Sequence, residues 1–237
     1  ILKLFDYFYQ KKFIKFLKNK KKLSNLKLLL DVGAHKGESI NLFAENFHVN
    51  EIHSFEPNPV SFKNLSKNIS NFRNKYGQTK IFFENLALGS EQKKILIKDV
   101  VESSSSTIKE LNKNSKYFKK KFFYLNNFKK KEIFKEYQVN QILLSDYITK
   151  RKIESIDFLK IDTEGYEFEV LKGTQSSMHK IRFILFEHHY DDMIIKNYFF
   201  SDIHNLLIKN HFIQLFKSKM PFRKTFEYIY ENKKFKI

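Results

Sequence analysis

The chain has 237 residues, 42% of them hydrophobic, and no apolar run approaches the roughly 18–20 residues needed to cross a bilayer. It has no cysteine, which excludes disulfides, thiolate metal sites and thiol nucleophiles and suits a cytoplasmic protein. The formal charge is +18, but only Arg73, Arg151, Arg182 and Arg223 among the 44 basic residues are arginine. Lysine is a solvated point charge without the guanidinium fork that grips phosphates and base edges, so nucleic acid is a disfavoured partner.

Ile1 to Lys22 sets Leu2, Phe5, Phe8, Phe13, Phe16 and Leu17 near helical spacing, with lysines between them. That predicts a basic amphipathic helix within residues 1–25, packed on the domain; weak contact with a membrane surface is its alternative use. One domain is expected over 26–237. Leu26–Val32 reads as a strand buried on both faces. A helix follows from Gly37 to about Phe47, then a strand at Glu51–Phe55. Asn58 is placed to cap a helix that has Pro59 at its first position and runs through Phe62, Leu65 and Ile69. Lys80–Leu88 reads as a strand, and Ile95–Ile97 as the start of another. Residues 103–140 open with four serines and continue with lysines interleaved with Phe118, Phe122, Phe123, Tyr124 and Phe128; this block reads as an insertion of short helices. Alternation resumes with strand Ile156–Ile161, helix Tyr166–Leu171 ended by Gly173, strand Ile181–Glu187 and helix Ser201–Lys209 capped by Ser201. Strands His211–Phe216 and Thr225–Tyr230 close the chain. The fold class is therefore α/β: a doubly wound, mainly parallel sheet with an antiparallel C-terminal hairpin at its edge.

Five segments carry chemistry. Asp31-Val32-Gly33-Ala34-His35-Lys36-Gly37 follows the first buried strand, where ligands of open α/β sheets bind. Its G-x-x-x-G spacing is neither the dinucleotide fingerprint nor a phosphate-binding Walker loop. Glu56, in Ser54-Phe55-Glu56-Pro57-Asn58-Pro59, ends the next strand, where an acid accepts hydrogen bonds from two ribose hydroxyls. Asn85-Leu86-Ala87-Leu88-Gly89 puts an amide and small residues where an adenine could border. Phe158-Leu159-Lys160-Ile161-Asp162-Thr163-Glu164-Gly165-Tyr166-Glu167 delivers Asp162 and Glu164 to the sheet's carboxyl edge, suited to ammonium recognition, general-base work or a divalent ion. Glu187-His188-His189 places a carboxylate beside an imidazole at the next strand's end. The two histidines point to opposite sides of the strand, so they do not share a metal ion, and no metal site is expected.

Together "DVGAHKG", "FEPNP", "NLALGS", "LLSDYI", "DFLKIDTEGYEFEVLKG" and "ILFEHH" resemble the FkbM methyltransferases over about Leu26–His189. The resemblance implies a class I, Rossmann-like methyltransferase domain, S-adenosylmethionine as methyl donor, and a hydroxyl acceptor on a sugar, glycan or other small metabolite, as in polysaccharide biosynthesis. It implies that Asp31, Gly33 and Gly37 line the methionine and ribose side of the donor. Glu56, with Pro57, would hold the ribose hydroxyls. Asn85 and Leu86 would flank the adenine, and Asp162 would sit beside the donor's amino group or the acceptor. The stretch at Ser104–Ser105 matches a serine-containing segment of the family's site. The lysine-rich insertion and the N-terminal helix fall outside these motifs; its lysines and aromatics are suited to an anionic acceptor. Asp162, Glu187 and His188 are the candidate bases. Two other readings stay open: an RNA 2′-O-methyltransferase, prompted by the charge, and a non-catalytic nucleoside-binding protein.

Overall fold

The computed structural model describes residues 2–100, 106–109, 112, 114, 115, 119, 134–221 and 223–236, with backbone alone at 2–9, 99, 100, 106, 107 and 134. The serines at 103–105 and the aromatics at 118–128 lie outside the described residues.

A seven-stranded sheet is the frame. Its strands are β1 (Asn25–Val32), β2 (His48–Phe55), β3 (Lys80–Glu84), β8 (Ile156–Ile161), β9 (Ile181–His189), β10 (Phe212–Lys219) and β11 (Thr225–Asn232). They lie in the order β10-β11-β9-β8-β1-β2-β3. The first five pair in parallel, and β11 joins β9 and β10 antiparallel. This is the mainly parallel sheet with an antiparallel C-terminal edge that the alternating pattern predicts. The order turns outward on either side of β1, which creates a crevice at the carboxyl ends of β1, β2 and β8.

Side chains alternate between two cores. One face buries Leu29, Phe158, Phe183, Leu185 and Ile229 under helices α1 (Leu2–Lys21) and α2 (Glu38–Asn46). Phe13, Ile14 and Leu17 of α1 are buried there, Phe13 lies 6.3 Å from Phe43, and Lys21 pairs with Glu231 at 2.8 Å. The apolar stripe of α1 over residues 13–17 is therefore spent on the domain, and Lys11, Lys12, Lys15 and Lys18 face outward. Helices α3 (Pro59–Lys67) and α4 (Ile69–Lys75) complete this side, the former capped by the Asn58 side chain on the N–H groups of Val60 and Ser61. The other face packs Leu30, Ile161, Ile184, Phe186, Tyr228 and Tyr230 under α5 (Leu144–Lys150), α6 (Glu167–Lys172) and α7 (Phe200–Lys209). At α7 the cap differs from expectation. Phe199, not Ser201, takes that position, and its N–H donates to the Asp202 carboxylate at 2.7 Å.

Two further expectations change. The run Lys80–Leu88 is broken at Asn85: its second part, β4 (Ala87–Leu88), leaves the main sheet. It joins β5 (Lys93–Val100), β6 (Ser106–Thr107) and β7 (Phe134–Ile142) in a four-stranded sheet, order β4-β7-β5-β6. The last part of the expected helical insertion is therefore a strand. β7 pairs with β5 over eight positions, Lys93–Gln141 to Val100–Phe134. Pairing with β5 decides the conformation of this segment.

Candidate functional site

The carboxyl edge of the main sheet is stitched together by backbone bonds that continue past the strand ends. The N–H groups of Gly33 and Ala34 both donate to Phe55 O (2.9 and 3.0 Å), Asp162 N to Val32 O (2.9 Å), and Glu56 N to Glu84 O (3.0 Å). Gly33 adopts φ +83°, and a Cβ there would lie 1.8 Å from the Asp162 carbonyl oxygen. The glycine is thus demanded by the neighbouring turn. Gly37 starts α2 at φ +91°, against the Phe72 ring. The remaining N–H groups of the loop are engaged too: His35 to Glu56, Lys36 to Glu38 and Gly37 to Ala34. No row of free amides is left for a phosphate, which agrees with the missing Walker pattern.

Glu56 is buried, 4% exposed, behind this loop. Oε2 accepts from His35 N and Oε1 from Asn58 N, each at 2.8 Å. Burial pushes its carboxyl up to about 7, opposed by those two backbone donors. An ionised carboxylate has about four acceptor positions, so two remain for a pair of ligand hydroxyls. Pro57 follows, half-buried. Asn85 is exposed and donates to the carbonyls of Glu56 (2.8 Å) and Pro57 (3.1 Å), so its amide pins the Glu56 turn; Leu86 beside it is half-buried.

A row of charges crosses β1, β8, β9 and β11 on the α1/α2 face, at the edge where the apolar core ends. Asp31 and Lys160 are register partners, as are Glu187 and Glu227. Lys160 Nζ stands 3.4 Å from both Asp31 Oδ1 and Asp162 Oδ2. Asp31 is fully buried, and its Oδ2 has no hydrogen-bond partner. Burial holds its carboxyl above the usual range, with Lys160 pulling the other way. Lys160 is half-buried, yet the carboxylates of Asp31, Asp162 and Glu187 raise its pKa against that desolvation. Glu187 is pushed well above the carboxylate range by burial first and then by Asp162, Glu227 and Glu164. Asp162, at 34% side-chain exposure, forms the open lip of the row. His188 is not part of it. One residue beyond Glu187, it sits on the opposite face among Tyr190, Tyr198 and Phe200, ring centroids 4.7–5.9 Å away.

Lys160 and Glu227 escape a reading of the sequence that looks for acids at strand ends. Their signal is there: a lysine inside "IDFLKI" and a glutamate inside "TFEYIY" are charges within buried strands, which demand partners. Glu167 is another. Fully buried, it accepts from Thr163 N, Thr163 Oγ1 and Gly165 N with Oε1, and from the Tyr198 hydroxyl (2.6 Å) with Oε2. It thereby fixes the turn at Asp162–Gly165, in which Glu164 holds φ +49°. Other motif residues form a structural joint. Ser90 donates to Glu169 at 2.6 Å, Ser145 N to Gly173 O at 3.1 Å, and Gly173 packs on the Gly89 carbonyl.

The Methyltransferase FkbM domain matches residues 31–214, which include all the site residues above except Glu227. The chain belongs to the FkbM methyltransferase family. Solved structures agree on the fold. Methyltransferase FkbM from Methylobacillus flagellatus is 14% identical, with TM-score 0.56 over 92% of this chain and 48% of that one, so the chain spans about half its length. Magnesium protoporphyrin IX methyltransferase from Synechocystis, with bound S-adenosylmethionine, gives 0.53 at 11% identity over 96% and 79% of the two chains. TrmK from M. capricolum, with S-adenosylhomocysteine, gives 0.52 at 10% over 95% and 68%. No curated protein sequence matches the chain. The sheet is that of the Rossmann-like methyltransferases. Among the described residues no helix is long and apolar enough to cross a membrane, and no three His, Asp or Glu side chains converge as metal ligands. An open concavity of about 550 Å³ lined by Lys18, Lys22, Ser24 and His48 lies at the sheet's opposite end, where β1 and β2 begin.

Proposed function

We propose that this chain is an S-adenosylmethionine-dependent O-methyltransferase of the cytoplasm that acts on a hydroxyl of a sugar, glycan or other small metabolite. The observation that carries the reading is Glu56: a carboxylate at the end of the second strand, withdrawn from water, with one acceptor position left on each oxygen. Such a group suits a ribose diol. The unpartnered Asp31 Oδ2 and the surplus of carboxylates over ammonium in the adjoining row suit a donor that carries positive charge. These residues fit the donor.

When bound, S-adenosylmethionine supplies a methyl group already activated as a sulfonium. What remains for the chain is alignment, exclusion of water and removal of one proton. Glu56 would hold the ribose hydroxyls through its two free acceptor positions. The turn at Gly33, closed against Asp162 O, would set the distance between the donor's tail and the lip of the charged row. Asp162 would take the acceptor's proton on a carboxylate oxygen. Its exposure gives it access to an acceptor, and the Lys160 ammonium lies 3.4 Å from its carboxylate. Glu187 would stand behind it on the next strand, its carboxyl pushed up by burial and by the neighbouring carboxylates.

Calorimetric titration with S-adenosylmethionine and S-adenosylhomocysteine tests the reading. Glu56→Gln is expected to weaken both by about tenfold or more, since hydrogen bonds to a charged acceptor contribute about 1.5–3 kcal/mol each. In the unsubstituted chain the affinity should tighten as pH rises through about 7, where Glu56 becomes a carboxylate, and Glu56→Gln should abolish that rise. Donor affinity indifferent to Glu56 would discard the assignment. Transfer of a labelled methyl group to a panel of sugars and glycans would then identify the acceptor.

A further inference from the structure

The two histidines that end β9 lie on different faces of the sheet. His188 belongs to the aromatic side, whereas His189 shares its face with Glu187, their register partners on β11 being Thr225 and Glu227. His189 is 8% exposed and meets a neighbour at each ring nitrogen. Nδ1 lies 3.1 Å from Thr225 Oγ1 and 3.8 Å from Asp191 Oδ2, and Nε2 lies 3.5 Å from Glu164 Oε2. Nε2 and Asp191 Oδ2 are both buried without a hydrogen-bond partner, so the ring stands between two carboxylates that hold it chiefly by charge. Glu164 belongs to the turn that presents Asp162. Its backbone is set by its neighbours: Glu167 takes the N–H groups of Thr163 and Gly165 on either side, and Glu164 itself holds φ +49°, uncommon for a residue with a side chain. Asp162 and Glu164 both act on the Glu187 carboxyl, so both carboxylates of the turn stand at the same charged row.

We propose that His189 is a positioning residue for methyl transfer: it holds the Glu164 carboxylate at the lip of the row, where that carboxylate accepts a hydrogen bond from a second hydroxyl of the methyl acceptor. This rests on the methyltransferase reading and narrows its acceptor to a polyol. Two cations then serve the turn, Lys160 at 3.4 Å from Asp162 and His189 at 3.5 Å from Glu164. Burial opposes a charged ring, but the carboxylates of Asp191, Glu164 and Glu167 outweigh it and hold the imidazole above its usual range. From β11 the ring meets the neutral Thr225, and the Lys196 ammonium bonds the His189 carbonyl. A carboxylate has about four acceptor positions, so one oxygen can face His189 while the other faces a hydroxyl. The Glu164 side chain is 25% exposed, which leaves it within reach of an acceptor.

Two measurements on the full chain test the proposal. The first needs no acceptor: the His189 imidazole, labelled with carbon-13 and assigned through its own backbone resonances, is titrated by NMR. Its midpoint should lie above the usual 6.5, and Glu164→Gln should lower it by about one pH unit. A midpoint indifferent to Glu164 overturns the pair. The second measures transfer from saturating labelled S-adenosylmethionine to D-mannose, myo-inositol and cis-1,2-cyclohexanediol, with cyclohexanol as the ring that has a single hydroxyl. At least one polyol should outpace cyclohexanol, and Glu164→Gln should slow that transfer by about tenfold while leaving the affinity for S-adenosylhomocysteine unchanged. In the unsubstituted chain the rate should fall as pH rises through the His189 midpoint, where the ring loses its charge, and His189→Gln should be slow at every pH with that fall removed. Glu164→Gln, at a partly exposed side chain, carries both measurements wherever His189→Gln does not fold. Equal transfer in Glu164→Gln and the unsubstituted chain, or no polyol preferred to cyclohexanol, overturns the acceptor contact. Titration with S-adenosylhomocysteine alone reads the donor site, so failure of the methyltransferase reading is distinguished from failure here.

Discussion

Glu187 and His188 are neighbours in sequence, yet one strand sends them into opposite kinds of interior. On the α1/α2 side of β9, Glu187 enters a row of carboxylates held around the Lys160 ammonium. On the α7 side, His188 is 3% exposed among aromatic rings, and its Nδ1 has no hydrogen-bond partner. The first environment depends on the one ammonium that its carboxylates share. The second tolerates a polar atom with none. Alternation at the edge of a parallel sheet thus builds an electrostatic site and an aromatic wall from consecutive residues.

The comparison breaks most visibly at Lys160. Lys160→Met leaves Asp31 buried with no counter-ion, and loss of one partner of a buried pair costs about 3–5 kcal/mol. The loss should depend on pH. Burial already raises the folded pKa of Asp31, and without Lys160 it rises further. An acid with a raised folded pKa does least harm below its unfolded pKa and most above its folded one. Urea denaturation should therefore show a smaller deficit at pH 5 than at pH 8. A deficit equal at the two pH values would show that the ammonium serves packing alone.

Within the charged row, the next largest effect separates the candidate bases. Asp162 reaches solvent beside Lys160, whereas burial, with Asp162, Glu227 and Glu164 adding to it, pushes the Glu187 carboxyl well above the usual range. Asp162→Asn should lower single-turnover methyl transfer by about 10²–10⁴-fold, the usual worth of a positioned base. Glu187→Gln preserves a neutral hydrogen-bonding group and should lower it by less than about tenfold. The opposite ranking would move the proton's destination to Glu187.

Much of this frame is visible in the sequence because local chemistry and tertiary demand agree there. The buried run Leu26–Val32, the Asn58–Pro59 helix start and the strand Ile156–Ile161 each lie where pattern places them. Asp31, Gly33, Glu56 and Asp162 do meet at one edge, because βα units bring strand ends together whatever the intervening lengths. Three features are not legible. The departure of β4 from the main sheet depends on pairing with β7, more than fifty residues away. Gly33 looks like a ligand-approach glycine, but the atom it makes room for is the Asp162 carbonyl. The counter-ion role of Lys160 needs the register Asp31–Lys160 between two strands far apart in the chain.

The smallest effect belongs to the aromatic wall, and it is informative for that reason. Burial, reinforced by Lys196 and His189, pushes the His188 imidazole down to about 3, so the folded protein refuses a proton that the unfolded chain accepts near the usual 6.5. A depressed histidine leaves stability intact above its unfolded pKa and erodes it as pH falls, by up to about 1.4 kcal/mol per pH unit. His188→Phe keeps the ring contacts with Tyr190, Tyr198 and Phe200 and removes the unpartnered nitrogen. At pH 8 its stability should lie within about 1 kcal/mol of the parent, since replacing an unsatisfied buried group by an apolar one of similar shape is nearly neutral. Between pH 6.5 and 4.5 the variant should be the more stable of the two by a widening margin. Methyl transfer should persist, because the imidazole faces away from Asp162 and Glu187. Abolished transfer in a variant that folds normally would put His188 at the acceptor and reverse the contrast between the two faces of β9.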